Sequence, residues 1–173
     1  MDQYLDNNHI EAFDILLAEK NTLRPGNYHP FIFVSSLHWH VPQQGSALYK
    51  YESKRYVSHI SKESVRASNF MLLLVANKSH WTLLVEDLKS KAWIFFDSLP
   101  NPIHRAVLPN VINHLYTETY VNYFEGDIRN WPLSITTKIP TQTNGFDCWM
   151  FVCKYMEVII LPRAVNWKEQ LHW

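Results

Sequence analysis

Apolar residues recur at helical spacing near the start of the chain. Ile10, Phe13 and Leu17 fall at i, i+3 and i+7, with Glu11, Asp14 and Glu19 largely off that face, which predicts a first helix with a solvated acidic side. Asp6 is placed to cap it, the pattern carries it to about Lys20, and the two prolines and glycine of 21–30 end it. From 31 to 66 the pattern is mixed. Phe31-Ile-Phe-Val34 is strand-like, Pro42 to Gly45 reads as a turn, and a mildly basic stretch follows. The middle is clearer. Phe70 to Ala76 is an unbroken apolar run, as expected of a strand buried on both faces. Trp81 to Asp87 and Ala92 to Phe96 read as two more strands joined by a polar hairpin link, Leu88-Lys89-Ser90-Lys91. Pro109 suits the first turn of a helix in which Val111, Ile112, Leu115, Tyr116 and Thr119 share a face. Leu133 to Ile139 reads as another strand, ended by Pro140. Cys148 to about Leu161 forms a helix with Phe151, Val152, Tyr155, Met156 and Ile159 on its apolar positions, stopped by Pro162.

Composition narrows the classes. The 173 residues are 47% hydrophobic and 18% charged, enough for a core and too few charges for disorder, so one domain over 1–173 is expected. Sixteen basic residues balance sixteen acidic ones, and a net charge of zero argues against direct nucleic-acid binding. The longest apolar run, Phe70 to Ala76, is far short of the roughly 20 residues that span a bilayer, and the acidic, polar start does not resemble a secretory leader. The expectation is a monomer of a reducing compartment, nucleus or cytoplasm, with no membrane partner. Two cysteines cannot build a disulfide framework or a four-thiolate zinc site. His38 and His40 share one side of an extended segment but no third ligand follows at metal-like spacing, so no metal and no cofactor is expected.

Of the two cysteines, Cys148 stands where a predicted helix begins, a place where oriented amides favour a thiolate. Gly145 upstream would permit a tight loop-to-helix turn. Taken alone, a free cysteine is more often a buried structural residue, and Cys153, about 140° further round the helix, reads as core. A nucleophilic thiol needs a base and the base an orienting partner. His80 precedes one predicted strand and Asp97 follows the next; if the two strands form an antiparallel hairpin, both residues lie at one edge of the sheet. Gln142, six positions before Cys148, can donate to a developing oxyanion beside the Cys148 amide, although alone it is an ordinary loop glutamine.

The segments Ser79-His80-Trp81, Phe95-Phe96-Asp97-Ser98-Leu99 and Gln142-Thr-Asn-Gly-Phe-Asp147-Cys148 resemble the signature of the ubiquitin-like-protein-specific (SUMO/sentrin) cysteine protease family. The order His, Asp, Gln, Cys matches, as do the seventeen-residue step from His80 to Asp97 and the six-residue step from Gln142 to Cys148. Tyr4-Leu5-Asp6-Asn7 is similar to the Trp-Leu-Asn-Asp segment that opens the family's catalytic domain, so the resemblance runs from about residue 4 to 160, and divergent transposon-associated plant members look most similar.

The resemblance implies an α+β papain-like fold, with a nucleophile-bearing helix packed on a mixed, mainly antiparallel sheet. It implies a thiol protease or isopeptidase cutting after the Gly-Gly end of a ubiquitin-like modifier, SUMO first among them, with that modifier and its conjugates as partners. His80 is then the general base, Asp97 its orienter, Gln142 the oxyanion donor and Cys148 the nucleophile. Trp81 corresponds to the aromatic roofing the tunnel for the glycine tail, against the plainer reading of a core or surface aromatic. Tyr4, where the family has tryptophan, and Trp149, where it has glycine after the nucleophile, fall at substrate-binding positions. Trp149 also supplies a second reading, a decayed protease fold that still grips a modifier or another protein. A third, acyl transfer from coenzyme A, ranks last because relatives of that kind carry an extra lobe and a basic inositol-phosphate site.

Overall fold

The sheet takes its strands in chain order: β1 (Phe31–Val34), β2 (Phe70–Asn77), β3 (His80–Asp87), β4 (Ala92–Phe96) and β5 (Leu133–Ile135). The inner pairs, β2 with β3 and β3 with β4, are antiparallel, while β1 runs parallel to β2 and β5 parallel to β4. The helices are α1 (Asn7–Leu23), α2 (Lys62–Ala67), α3 (Pro102–Arg105), α4 (Leu108–Glu118) and α5 (Cys148–Ile159), with a 3-10 turn at Ile128–Asn130. This computed structural model describes residues 7–35, 60–77, 79–118, 123–163 and 167. Tyr4, the Asp6 cap, the His38/His40 pair, the turn at 42–45 and Thr119 lie outside them.

Strand alternation splits the apolar residues between two cores. Met71, Leu73 and Val75 of β2, Leu84 of β3 and Trp93 and Phe95 of β4 pack with Leu108, Val111, Ile112 and Leu115 of α4. Leu72, Leu74, Leu83, Val85 and Phe96 face the other way, onto Ile10 and Leu17 of α1 and Val152, Tyr155 and Met156 of α5. A sheet covered on both faces needs continuous apolar strands, which is why 70–76 shows no polar alternation. The papain-like α+β expectation holds, with the nucleophile-bearing helix on the sheet.

Four local expectations are corrected. The strand at 133–139 pairs only over Leu133–Ile135, opposite Trp93–Phe95 of β4. α1 runs to Leu23, and its outer side is not simply a solvated acidic one. Ile15 and Leu16 are exposed there, while Asp14 is partly buried, and that burial with Glu11 nearby raises its carboxyl pKa to about 6. α2 lies inside the stretch that gave no clear pattern; its start is a reciprocal cap in which Ser64 N–H donates to Ser61 Oγ (3.1 Å) and Ser61 N–H to Ser64 Oγ (2.9 Å). Gly145 does not take a positive φ, and a Cβ there would meet nothing within 4 Å. The turn into α5 is built instead by Asn144, whose Oδ1 accepts from the amides of Phe146 and Asp147 (both 3.1 Å).

Candidate active site

His80 opens β3 and Asp97 follows β4, and the antiparallel register, with Leu83 opposite Phe96, brings both to one edge of the sheet. His80 Nε2 lies 2.8 Å from Asp97 Oδ1, and both residues are buried. The Cys148 side chain lies near enough to the His80 ring to favour its protonated form. Cys148 is the first residue of α5, the helix laid on β3 and β4, so the sulfur sits where the first-turn amides have no partner within the helix. Four buried residues chosen from the sequence thus meet: His80, Asp97, Cys148 and, from the loop before α5, Gln142.

Gln142 is locked at both ends of its amide. Ser98 Oγ donates to its Oε1 (2.7 Å), and its Nε2 donates to Asn144 O (2.6 Å), leaving the second Nε2 hydrogen available. Its own backbone N–H donates to Ser98 O (2.8 Å). The Asn144 carbonyl, which can only accept, therefore fixes which end of the amide carries the donors.

The chain after Asp97 wraps back around the carboxylate. Leu99 N–H donates to Oδ1 (2.9 Å), while Asn101 N–H (3.3 Å) and His104 Nδ1 (2.9 Å) meet Oδ2. His104, on α3, also stacks on His80, with ring centroids 4.2 Å apart and planes at 22°. Burial opposes the Asp97 charge, but hydrogen bonds from His80, His104 and Leu99 outweigh it and hold the carboxyl below its ordinary range. Burial likewise opposes a charged His80, yet the hydrogen bonds and charges of Asp97 and Cys148 raise its pKa to about 9. At neutral pH the ring carries its second proton between a sulfur and a carboxylate.

His80, Asp97 and His104 also offer three donor atoms within 4.8 Å of one another, a donor set that a divalent ion could use. The two ring nitrogens are each engaged with a different oxygen of the Asp97 carboxylate. That suits two donors on the two oxygens of one carboxylate, not convergence on a single ion.

Trp81 and Trp149 are each partly buried and lean on the α5 side of the sheet core. Trp149 is thus a packing residue as well as the neighbour of Cys148. Cys153 is buried within that core, and burial pushes its thiol up to about 12, an unreactive sulfur. Sequence reading missed His104, Ser98 and Phe146, the last an exposed aromatic two positions before Cys148. For Ser98 its place beside Asp97 was the available signal; His104 gave none, being one of nine histidines in a segment with no periodicity.

Among the described residues no helix is long and apolar enough to cross a membrane. Sentrin-specific protease 2 of Mus musculus is 29% identical over 108 residues, covering 57% of this chain and 17% of that protein. The chain spans less than half the length of the curated relatives it matches. Two solved structures share the fold. The C-terminal Ulp1 protease domain, in complex with the yeast SUMO orthologue Smt3, is 22% identical with a TM-score of 0.60, covering 97% of this chain and 72% of that one. The C470A mutant of XopD from Xanthomonas is 18% identical with a TM-score of 0.62, covering 91% and 81%. Residues 32–170 match the Ulp1 protease family, C-terminal catalytic domain, and the chain belongs to that family.

Proposed function

We propose that this chain is a single cysteine-peptidase domain that cleaves after the Gly-Gly terminus of a ubiquitin-like modifier, SUMO first among them. The observation that carries the reading is one buried imidazole bonded to an acid, His80 to Asp97 at 2.8 Å, with the buried Cys148 thiol beside it. That is the arrangement a thiol nucleophile requires, with the base itself oriented by a third group.

In this mechanism the Cys148 proton already rests on His80, and Asp97 stabilises that imidazolium beside the sulfur. The sulfur attacks the glycyl carbonyl carbon, and the oxygen's developing charge is met by the Cys148 amide and the free Nε2 hydrogen of Gln142. His80 then returns its proton to the leaving amine, releasing it and leaving a thioester. Water, activated by His80, hydrolyses the thioester and regenerates the thiol. Trp81, against the sheet beside the site, is assigned to cover a tail of bare glycines, since side chains would not pass beneath an indole. Tyr4 and Trp149 are assigned to modifier contact.

Membership of the family and the solved complex of the Ulp1 domain with Smt3 support a SUMO-type partner. A net charge of zero fits a protein partner better than a phosphate backbone. We place the activity in the nucleus or cytoplasm, where two free thiols stay reduced. The test is a SUMO vinyl-sulfone probe: a covalent adduct at Cys148, lost in Cys148→Ala, is expected. A folded protein that labels with none of several modifier probes refutes the reading.

A further inference from the structure

We propose that His104 is a positioning residue of this site: it grips the second oxygen of Asp97 and stacks on His80, so that a single carboxylate is clamped in the orientation that aims His80 at Cys148. The inference rests on the catalytic reading of His80 and Cys148 and adds a fifth side chain to the four already placed there.

Asp97 has two carboxylate oxygens and each receives two hydrogen bonds. On Oδ1 these come from His80 (2.8 Å) and the Leu99 amide (2.9 Å). On Oδ2 they come from His104 (2.9 Å) and the Asn101 amide (3.3 Å). The Asn101 contact is long, so His104 supplies the strong half of the grip on Oδ2. Without it the carboxylate can turn about its last torsion, a soft sp²–sp³ rotation, and Oδ1 drifts from His80. The tautomer is fixed as well, because a carboxylate oxygen only accepts and so His104 Nδ1 carries a hydrogen.

The stack does a second job. With its ring 4.2 Å from the His80 ring, His104 covers that face of the imidazole and keeps water from the His80–Asp97 bond. Local sequence explains the placement. Asn101 caps α3 through Oδ1, accepting from Ile103 N–H at 3.0 Å, and Pro102 begins the turn, which leaves His104 buried seven residues beyond Asp97. The titratable groups that face this cluster are Cys148 and Tyr155 from α5, beside the three residues themselves.

Two substitutions separate the hydrogen bond from the ring. His104→Asn keeps a side-chain N–H at the position of Nδ1 and loses the stack; His104→Phe keeps a stacking ring and loses the donor. The readouts are kcat and KM on a SUMO conjugate, the pH titration of His80 followed by imidazole ¹⁵N NMR, and the pH dependence of Cys148 alkylation by iodoacetamide. His104→Phe is expected to lower kcat by about 10- to 100-fold with KM unchanged, the loss of one hydrogen bond to a charged group. His80 should then titrate at lower pH, and His104→Asn should recover most of both properties. If His104→Phe does not fold, His104→Ala removes the same donor.

The proposal is overturned if the donor-free variant keeps wild-type kcat and His80 titration, or if His104→Asn loses as much as His104→Phe. Should the wild-type chain cleave no modifier, the catalytic reading fails alone. The His80 titration and the alkylation profile need no substrate and still decide the role of His104.

Discussion

Glu86 carries a measurable stability cost. It is fully buried on β3, in register with Met71 of β2 and Trp93 of β4, and neither carboxyl oxygen has a hydrogen-bond partner among the described residues. Burial raises its pKa well above the ordinary carboxyl value, so the folded chain holds Glu86 as a neutral acid where the unfolded chain ionises it. Between those two values folding takes up one proton. Stability therefore falls as pH rises, by about 1.4 kcal/mol per pH unit. Glu86→Gln keeps the volume and the unpartnered polar group but abolishes the titration. Glu86→Met removes the polar group too, and with it a desolvation cost of about 1–3 kcal/mol. Urea unfolding at pH 5, 6.5 and 8 is the assay, and the difference between wild type and Glu86→Gln isolates this one group because all other titrations cancel. The advantage of Glu86→Gln should widen as pH rises from the unfolded-state pKa toward the raised folded-state one, and Glu86→Met should be the most stable of the three throughout. Parallel pH curves for wild type and Glu86→Gln would refute a buried, proton-bound Glu86.

Three further predictions concern the site. With the His80 pKa raised to about 9, kcat/KM should fall above about pH 9 as the imidazolium loses its proton; Asp97→Asn should bring that fall to lower pH and cost about 100-fold or more at pH 7.5, and an unmoved alkaline limb would deny Asp97 its role. Gln142→Ala should lower kcat by about 100- to 1,000-fold with little change in KM in single-turnover cleavage, as expected for loss of one oxyanion donor; a change confined to KM would assign Gln142 to binding instead. Trp149→Gly should lower the unfolding free energy by about 2 kcal/mol, because the indole leans on the core, with no gain in turnover. Faster cleavage by the glycine variant would show that the indole obstructs the site.

The parts of this fold that were legible in the sequence are those whose signal is local. The run 70–76, the strands 81–87 and 92–96 with their polar link, and the helix beginning at Cys148 all came from apolar spacing, and the structure keeps them within a residue or two. His80 and Asp97 could be brought together because an antiparallel hairpin fixes which strand ends meet. What was not legible depends on contacts made after folding. α2 is six residues capped by serines, too short for a periodic face to show. β5 is three residues set opposite Trp93–Phe95 of β4, a length that shows in the register and not in its own apolar pattern. Glu86 breaks no pattern that one strand reveals, since its burial follows from helices covering both faces of the sheet. His104 acquires meaning only when the loop after Asp97 curls back onto the carboxylate.

That loop ties two of the proposed site residues to adjacent positions in the chain. Asp97 and Ser98 are neighbours where the chain leaves β4 and bends, and their side chains reach different partners. Asp97 reaches His80, which touches Cys148, while Ser98 reaches Gln142 in the segment leading to the same cysteine. The Ser98 carbonyl also accepts the Gln142 amide at 2.8 Å, so backbone as well as side chain ties the end of β4 to the approach to α5. The proposed base and the proposed oxyanion donor are thus both tied to one dipeptide at the end of β4. A displacement of the loop at 97–104 would therefore move both groups together, which makes its anchors, His104 among them, more consequential than their distance from the sulfur implies.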